Sequence, residues 1–467
     1  MSGHGFMLGL IALAMLGCPA ARADEYNYRN VLVGERAVGM GGAATAVADD
    51  AAAAYYNPAG LVQNSSTTLS LSATLLQLRN QTIGNFLSED GVSQISAAII
   101  AASSVYATDL LEGRFAFSIL VPDSYDFEMN EQIVLDLPMP DDSRLVKAHL
   151  IRRKRYETYV LGPSMAWSLG SGWSLGFSLF VFYRNFDYYQ DDTYLYSTGA
   201  MTQIIDNDSG SSIGMQGHAG VLYQPLDCLR IGLLGSVGGA FSDTGKGRRL
   251  RIESSGDDPE SFTRVVTGGE FGGEGEDKVE SKAPISFSLG IAWQIDPDWL
   301  VSLDGSFYLP LSYDRLGRQI DKRFTWNIAA GAEVRLWDAW PLRFGFFTNL
   351  SSAPPIDEEA IATVDPATYT LDELPPDKVD YYGLSVSFGQ IGRNSTWDVA
   401  LQAMLGSGER VEVLETGAAV HPVVDFSIGV TISGSYILYN GEEEKEAAAE
   451  RPRLAGAEGV DEKERTD

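Results

Sequence analysis

Residues 285–309 read ISFSLGIAWQIDPDWLVSLDGSFYL, and this stretch of sequence decides the fold. In its first half, large apolar residues hold every second position from Ile285 to Ile295, and small or polar residues hold the positions between them. After the turn formers at 296–298 the same alternation resumes. A period of two over about ten residues is typical of strands that cross a membrane in a β-barrel. The stretch therefore predicts two transmembrane strands joined by a tight turn.

The same alternation recurs at residues 69–75, 175–183, 397–405 and 426–438. A soluble β-sandwich would also alternate, because one face of each strand meets its core. An export signal, the strand length and tryptophans close to the turns favour the membrane instead. These tryptophans are Trp167, Trp173, Trp299, Trp326, Trp337 and Trp340. We therefore predict an all-β fold, a single transmembrane antiparallel β-barrel over residues 67–440.

Membrane helices are not indicated by this sequence. Beyond its amino terminus we find no stretch of about 20 consecutive strongly apolar residues, which a membrane helix needs. The nearest candidate, residues 91–108, is uncharged but diluted with serines and Gln94. We interpret it as a partly helical loop or a packed segment.

The connections between the predicted strands differ in length in a way that assigns the two sides of the barrel. Short links lie at 170–172, 296–298, 338–339 and 392–394. Two long polar links run from about 243 to 282 and from 351 to 377. Outer-membrane barrels have short periplasmic turns and long external loops. The short links are therefore predicted to face the periplasm.

Composition excludes several classes of function. The chain has 34 Lys and Arg against 63 Asp and Glu, a net charge of -29, so a nucleic-acid partner is not expected. The two cysteines, Cys18 and Cys228, predict neither a disulfide framework nor a metal knuckle.

Both ends of the chain are set apart from the predicted barrel. Residues 1–23 are predicted to be a signal peptide, because the apolar run at 6–16 is too short to span a bilayer and small residues precede Asp24. A lipoprotein signal ending at Cys18 is the alternative. Residues 441–467 carry ten acids and five bases with almost no bulky apolar residue, which predicts a disordered, periplasmic acidic tail.

Between the signal and the first strand lies a segment of small residues, 24–66, in which 34–61 reads GERAVGMGGAATAVADDAAAAYYNPAGL. Periodicity alone favours a short alanine-rich helix followed by an Asn-Pro turn. The order of glycine-rich stretch, acidic pair and Asn-Pro-Ala-Gly turn, however, resembles the N-terminal hatch of the FadL-type outer-membrane transporters of long-chain fatty acids and hydrocarbons. Several later segments also resemble that family, including 282–284 before a strand and the strand residues 325–327, 340–345 and 381–385.

This resemblance implies a barrel of about fourteen strands, plugged by its own N-terminus. It also implies that hydrophobic substrates diffuse through and leave sideways through a gap at a kinked strand. The residues that it places in the hatch and its gate are Gly39, Gly41, Gly42, Asn57, Pro58 and Gly60. Two departures leave the substrate open: the chain ends in the acidic tail instead of an aromatic residue, and the external loops match no known ligand contacts.

Enzymatic chemistry is not predicted, because no nucleophile with a base and no metal cluster is evident. The histidines His149, His218 and His421 are scattered, and no cofactor or metal is expected. Acidic stretches at 256–258 and 274–280 lack the ordered spacing of a calcium site, which favours a solvated loop. The basic run at Lys147 and 152–155 is interpreted either as a contact for lipopolysaccharide phosphates or a fatty carboxylate, or as a plain charged hairpin.

Two charged residues, Asp304 and Arg343, fall on the inward face of their predicted strands. A buried charge without compensation is costly, so we expect them to pair with each other or with backbone groups of the hatch. A contact with a ligand carboxylate is the alternative role for Arg343.

Taken as a sequence, the chain predicts a monomeric outer-membrane transporter for passive diffusion of hydrophobic small molecules, fatty acids or hydrocarbons, with outer-membrane lipid and lipopolysaccharide around it. The alternative is a barrel that serves as a secretion or assembly partner, since some such barrels begin with a similar segment. An outer-membrane lipid enzyme ranks third.

Overall fold

The computed structural model describes most of the predicted barrel and the segment before it. It covers residues 25–47, 50–64, 66–83, 92–107, 113–138, 144–254, 270–271, 282–316, 318–337, 339–363, 374–414 and 417–440. The predicted signal peptide, the acidic tail and the acidic stretches at 256–258 and 274–280 lie outside the described residues.

Helices in this part of the chain are short. They are α1 (Glu35–Gly39), α2 (Ala53–Tyr56), the 3-10 helix η1 (Pro58–Gln63) and α3 (Glu358–Ile361). Among the described residues, none of the helices has the length and apolar character needed to cross a membrane.

Strands make up the rest of the regular structure. They are β1 (Ser66–Ile83), β2 (Val92–Ala107), β3 (Gly113–Pro138), β4 (Arg144–Gly170), β5 (Trp173–Tyr196), β6 (Met201–Leu226), β7 (Leu229–Ser254), β8 (Glu270–Phe271), β9 (Lys282–Asp296), β10 (Trp299–Tyr308), β11 (Leu311–Arg315), β12 (Arg318–Lys322), β13 (Thr325–Leu336), β14 (Trp340–Asn349), β15 (Lys378–Ile391), β16 (Ser395–Leu414) and β17 (Gly417–Asn440).

Fourteen of these strands close into one antiparallel ring. Each pairs with its neighbour in chain order, except that β8, β11 and β12 are bypassed, and β17 pairs with β1 to complete the circle. A closed ring leaves no open sheet edge, which is the condition for a sheet inside a bilayer. The predicted all-β transmembrane barrel is thereby confirmed as the fold.

The alternation in sequence sets which side chains face outward. From Ile285 to Ile295 every second side chain is exposed, and the exposed residues are all large and apolar. On the neighbouring strand Leu303 and Phe307 are exposed, whereas Ser302, Asp304 and Ser306 are buried. The outer face therefore suits hydrocarbon, and the inner face is polar and packed.

The strands differ in length, and the excess lies at one end of the ring. Strands β3–β7 and the pair β16–β17 continue well beyond the band of exposed apolar side chains, at the end opposite to the links at 170–172, 296–298 and 392–394. Their ends pack around a core that includes Phe127, Leu145, Phe186, Leu316 and Tyr381. The hairpin β11–β12 forms a separate two-stranded sheet, and its turn residue Leu316 enters this core.

Two local predictions are wrong. Residues 91–108 were expected to be partly helical, but 92–107 form β2, because serine and alanine suit either state and the ladders of β1 and β3 supply hydrogen bonds. The long link was expected to begin near 243, but β7 continues to Ser254, since it pairs with β6 along its whole length.

Candidate functional site: the lumen of the ring

The N-terminal segment, residues 25–64, lies within the ring. Its helix α1 contacts β14, β15, β16 and β17, while η1 contacts β3, β4, β5 and β6 on the opposite wall. Val33, Val38, Met40 and Leu61 in this segment are completely buried. Because its contacts come from strands all around the ring, the segment fills much of the inner space.

Close approach between backbones holds α1 against the wall. Gly41 has a φ of 64°, and a methyl group on it would come within 2.9 Å of the backbone of Phe346. At Gly39, the hydroxyl of Ser385 donates to the carbonyl oxygen over 3.0 Å. A larger side chain at Gly41 would be strained and would push the segment off β14.

The strands of the wall also carry glycines where they face the N-terminal segment, and the sequence analysis did not single these glycines out. At six glycines of the wall, an added methyl group would lie 2.0–2.7 Å from an atom of the N-terminal segment or of an acid that is bonded to this segment. These glycines are Gly176, Gly220, Gly232, Gly290, Gly331 and Gly345. The sequence signal for these glycines is that they interrupt the alternation of apolar and polar residues at inward-facing positions of several strands. The inward face therefore accommodates a second backbone.

Asn57 fixes the turn between α2 and η1. Its side-chain amide donates to the carbonyl oxygens of Thr45 at 2.8 Å and Val221 at 3.1 Å, and its Oδ1 accepts from the backbone N–H of Ala59. Pro58 is the first residue of η1, where its missing N–H costs nothing. The N–H of Gly60 donates to the carbonyl oxygen of Asn57 over 2.9 Å. The turn thus links the segment to β6.

Asp304 binds the same segment from β10. Its Oδ2 accepts from the backbone N–H of Thr45 at 2.7 Å, and the residue is 1% exposed. The carbonyl oxygen of Thr45 accepts from Asn57. The peptide groups on both sides of Thr45 are therefore hydrogen-bonded, one to Asp304 of the wall and the other to Asn57 of the turn. This contact with N-terminal backbone is one of the two arrangements considered for Asp304.

Arg343 pairs with acids other than Asp304, so the direct Asp304–Arg343 pair does not form. Its guanidinium contacts Glu333 at 2.7 Å and Asp398 at 2.6 Å, and Glu333 also binds Arg36 of α1 at 2.9 Å. The reason is register, because Glu333 stands directly opposite Arg343 on β13. These four charges, of which three are buried, anchor α1 to β13, β14 and β16.

A cavity of about 150 Å³ remains between the N-terminal segment and the wall. Five tyrosines contribute to its lining, together with four basic side chains and two acids. The tyrosines are Tyr28, Tyr55, Tyr56, Tyr156 and Tyr308, the bases Arg29, Arg184, Lys282 and Lys322, and the acids Glu25 and Asp123. Such a lining offers aromatic faces with polar groups at their edges.

Among His149, His218 and His421, it is His218 that lines the lumen cavity. It is 5% exposed, and its Nδ1 lies 3.0 Å from the carbonyl oxygen of Tyr55. Because the carbonyl oxygen only accepts, Nδ1 is the donor; Nε2 is then the acceptor of the neutral imidazole, and among the described residues it has no hydrogen-bond partner. His149 instead contacts Asn130, on the paired strand β3, at 2.9 Å.

A second cavity, of about 200 Å³, lies at the end of the long strands. Arg315 and Ile320 of the β11–β12 hairpin line it, Lys322 of the same hairpin lines the lumen cavity, and Glu25 lines both. Glu25 is held by Arg315 at 2.6 Å, and the ammonium of Lys322 donates to the carbonyl oxygen of Glu25. The hairpin thus separates the two cavities.

Three residues of the predicted basic run, Arg152, Arg153 and Lys154, line this second cavity, and the charges at 152–155 are paired. Arg152 contacts Asp192 and Glu412, both at 2.6 Å, and Lys154 contacts Asp377 at 3.1 Å. The other two pairs are Arg153–Asp187 and Arg155–Asp126. The four basic residues therefore bind acids of the chain itself.

Asp377 joins three of the extended elements. It precedes β15 and accepts from Arg410 of β16 at 2.6 Å as well as from Lys154 of β4. Burial would raise the pKa of Asp377, but the two cations outweigh it and hold the pKa well below the usual range.

One interruption of the ring lies beside the lumen cavity. The β2–β3 ladder ends at the pair Ala101–Leu120, while β3 continues against β4 alone. Between Leu120 and Asp123, β3 has one residue more than its partner, a bulge that contains Pro122. Pro122 also lines the cavity of about 150 Å³.

In the part of the chain that the structure describes, no group of three or more His, Cys, Asp or Glu side chains is placed to hold a metal ion.

Comparison with known proteins shows the fold. No protein-family model and no curated protein matches the sequence. A Pseudomonas aeruginosa FadL homologue is similar in structure, with a TM-score of 0.59 and 14% identity over 90% of this chain and 100% of that chain. The Pseudomonas putida toluene transporter TodX has a TM-score of 0.56 and 14% identity over 86% of this chain and 98% of its own. The monoaromatic hydrocarbon channel CymD has a TM-score of 0.52 and 14% identity, with 88% and 99% covered. The chain has the FadL-type transporter fold.

Proposed function

We propose that this chain, with its FadL-type fold, is an outer-membrane channel through which hydrophobic compounds diffuse passively. The observation that carries the proposal is the lumen cavity of about 150 Å³ inside a closed ring whose outer face is apolar. A protein cavity of about 150 Å³ can hold one benzene molecule. The size therefore favours a compact aromatic compound over an extended fatty acid, and the names of the toluene transporter and the monoaromatic channel agree with that choice.

The N-terminal segment is, in this proposal, the hatch. Wall contacts at Gly39, Gly41 and Asn57 would keep it in place while ions and sugars are excluded. Gly42, Pro58 and Gly60 would give the hatch its turns, since Gly42 has a φ of 78° and the other two belong to η1. The tyrosine-lined space beside the hatch would be the path that remains.

Exit into the bilayer would take place at the end of the β2–β3 ladder. Three features support that position: pairing stops at Leu120, Pro122 has no N–H to offer β2, and Pro122 borders the lumen cavity. A compound in the cavity would then meet lipid without crossing a complete ladder.

Uptake by whole cells tests the proposal. Cells that carry the chain should take up radiolabelled toluene several-fold faster than cells without it, whereas arabinose entry should not change. Equal acceleration of both solutes, or of neither, would contradict the channel. Faster entry of oleate than of toluene would agree with a hydrophobic channel but contradict the preference for a compact aromatic compound.

A pair of proline variants tests the exit. Pro122→Val adds an N–H that can bind β2 and should slow toluene uptake. The matched control is Pro422→Val, at an exposed position on β17 opposite Glu409 in a regular ladder, which should leave uptake unchanged. Equal rates in both variants would exclude the β2–β3 exit.

A further inference from the structure

An apolar groove of about 670 Å³ runs across the five strands β4, β5, β6, β7 and β9 on the outer face of the ring. Its floor consists of small residues on two adjacent strands, Gly217 and Ala219 on β6 and Gly235 on β7. In register, Ala219 stands opposite Gly235, so the small residues form one continuous patch. A volume of this size falls within the roughly 300–1,000 Å³ of small-molecule sites.

Bulky side chains rise on both sides of the floor. Phe177 on β5 is paired with Ala219, and Phe287 on β9 is paired with Gly235. Both phenylalanines are exposed, and Trp167 of β4 packs edge-on against Phe177 with ring centroids 6.4 Å apart. The groove therefore has aromatic walls and a flat floor.

Packing within the protein does not require the floor to be small. A methyl group at Gly217 would have its nearest neighbour at 4.0 Å, and one at Gly235 at 3.8 Å. By contrast, a methyl group at Gly220, one residue beyond Ala219, would lie 2.0 Å from Asn57 Oδ1. The inward glycine makes room for the N-terminal segment, whereas the outward glycines leave space that the described part of the chain does not fill.

The ladder next to the groove is irregular. Between β7 and β9 the pair Ser236–Ser286 is followed by the pair Gly238–Ala283, so β9 has one residue more than β7 in this interval. The extra length includes Pro284, which cannot donate a backbone hydrogen bond. A bulge with a proline is a weak point in a ladder that is otherwise paired residue by residue.

The lumen cavity and the outer groove both touch this β7–β9 seam. From inside, the lumen cavity is lined by Ala283 and Pro284. From outside, the groove is lined by Ile285. Ser236 and His218 line both spaces. A single thickness of chain therefore separates the cavity from the groove.

We propose that the outer groove is a binding site for an aromatic hydrocarbon that leaves the lumen through the β7–β9 seam. The route rests on the proposed function, and it adds a second exit to the one at the end of the β2–β3 ladder. Aromatic cargo would pack against Trp167, Phe177 and Phe287 in offset or edge-on contacts over the floor of small residues. The continuity between cavity and groove at Ser236 and His218 favours cargo from the lumen over an acyl chain from the bilayer.

Occupancy of the groove is tested by fluorescence in phosphatidylcholine vesicles. 4-Bromotoluene should quench Trp167, measured as the difference between the wild-type protein and Trp167→Phe. The filling variant Gly217→Leu/Gly235→Leu should lose at least half of that quenching. Phospholipids with brominated acyl chains form the second arm. Quenching by these lipids that unbrominated toluene does not reduce would assign the groove to lipid and overturn the proposal.

A reversible lock tests the seam in a Cys228→Ser background. The hydroxyl oxygens of Ser236 and Ser286 are 2.6 Å apart on opposed residues, so Ser236→Cys/Ser286→Cys should form a disulfide. Oxidation should slow toluene uptake, because it closes one of the two exits, and a reductant should restore the rate.

The matched control is Thr396→Cys/Ser435→Cys, whose hydroxyl oxygens are 2.7 Å apart across the regular β16–β17 ladder. Oxidation of this pair should not change uptake. Equal uptake by the oxidised and reduced forms of the seam variant would overturn the second exit. If cells with the wild-type protein take up no toluene, the proposed function fails. The quenching experiment still decides whether the groove binds an aromatic hydrocarbon.

Discussion

Asn57 shows how much one buried amide can hold. It is completely buried, and it satisfies two carbonyl oxygens and one N–H that water cannot reach. Asn57→Ala leaves these groups without partners at a cost of about 1–3 kcal/mol. We expect the N-terminal segment to loosen and vesicles with this variant to leak arabinose, while the ring survives because its ladder is untouched.

The control for this prediction is Asn64→Ala, in the same segment. Asn64 is only partly buried, and it bonds to Thr68 and to the N–H of Ser66 near the start of β1. It should leave arabinose leakage at the wild-type level. Leakage that is equal in both variants would mean that Asn57 does not hold the segment.

Arg343 is the residue on which the buried charge cluster depends. Replacing it by methionine leaves Glu333 with fewer cations and Asp398 without its salt bridge, and removal of one partner from a buried pair costs about 3–5 kcal/mol. Arg343→Met should therefore lower the temperature at which the folded band disappears in unboiled SDS gels. Arg335→Met is the control, because Arg335 is 43% exposed and lies 3.8 Å from the same Glu333. Equal shifts in the two variants would contradict the prediction.

At the scale of elements, the extended strand ends depend on ion pairs that are sensitive to acid. The pKa of Asp377 is held below its ordinary value, so its ion pairs stabilise the fold at every pH above the unfolded pKa of about 4. That contribution is lost only as the pH falls below about 4, toward the depressed folded pKa. We therefore expect the melting temperature to change little through Asp377 between pH 7 and pH 5.

Asp377→Asn tests this pH dependence. At pH 7 it should destabilise the protein by roughly 1.5–3 kcal/mol, because two charge-assisted hydrogen bonds are weakened. The difference from the wild-type protein should shrink as the pH is lowered from 4 to 2, because Asp377 then binds a proton in the unfolded chain, whereas an asparagine does not titrate. Asp321→Asn is a suitable control, since Asp321 is exposed and bonds mainly to Ser312 within its own hairpin. A gap between Asp377→Asn and the wild-type protein that is the same at pH 7 and pH 2 would refute the assignment.

At the scale of the whole molecule, we expect the ring of strands to fold without the N-terminal segment. The ring is closed by strand-to-strand pairing alone, whereas the segment is held by side-chain bonds and close packing. Deletion of residues 25–60 should therefore leave a folded band that shifts on boiling, and arabinose should leak freely through the emptied lumen. Failure of the variant to form the folded band, or a lumen that stays closed, would show that the two parts are not independent.

What the sequence by itself determined is the architecture. A period of two was enough to predict strands from Ile285 to Leu309 and to place Asp304 and Arg343 on the inward face, because side-chain direction in a strand follows from parity alone. The short links were visible for the same local reason, since glycine, proline and aspartate form turns wherever they occur.

Tertiary structure alone decided which groups meet across the lumen. Glu333 and Asp398 became the partners of Arg343 because ring closure fixes the register of β13 against β14 and brings β16 within reach, and no local pattern encodes that register. The same holds for 92–107, whose small residues take the strand state that neighbouring ladders impose. The groove at Gly217 and Gly235 is likewise absent from any single segment, because a surface built from five strands exists only after they have paired.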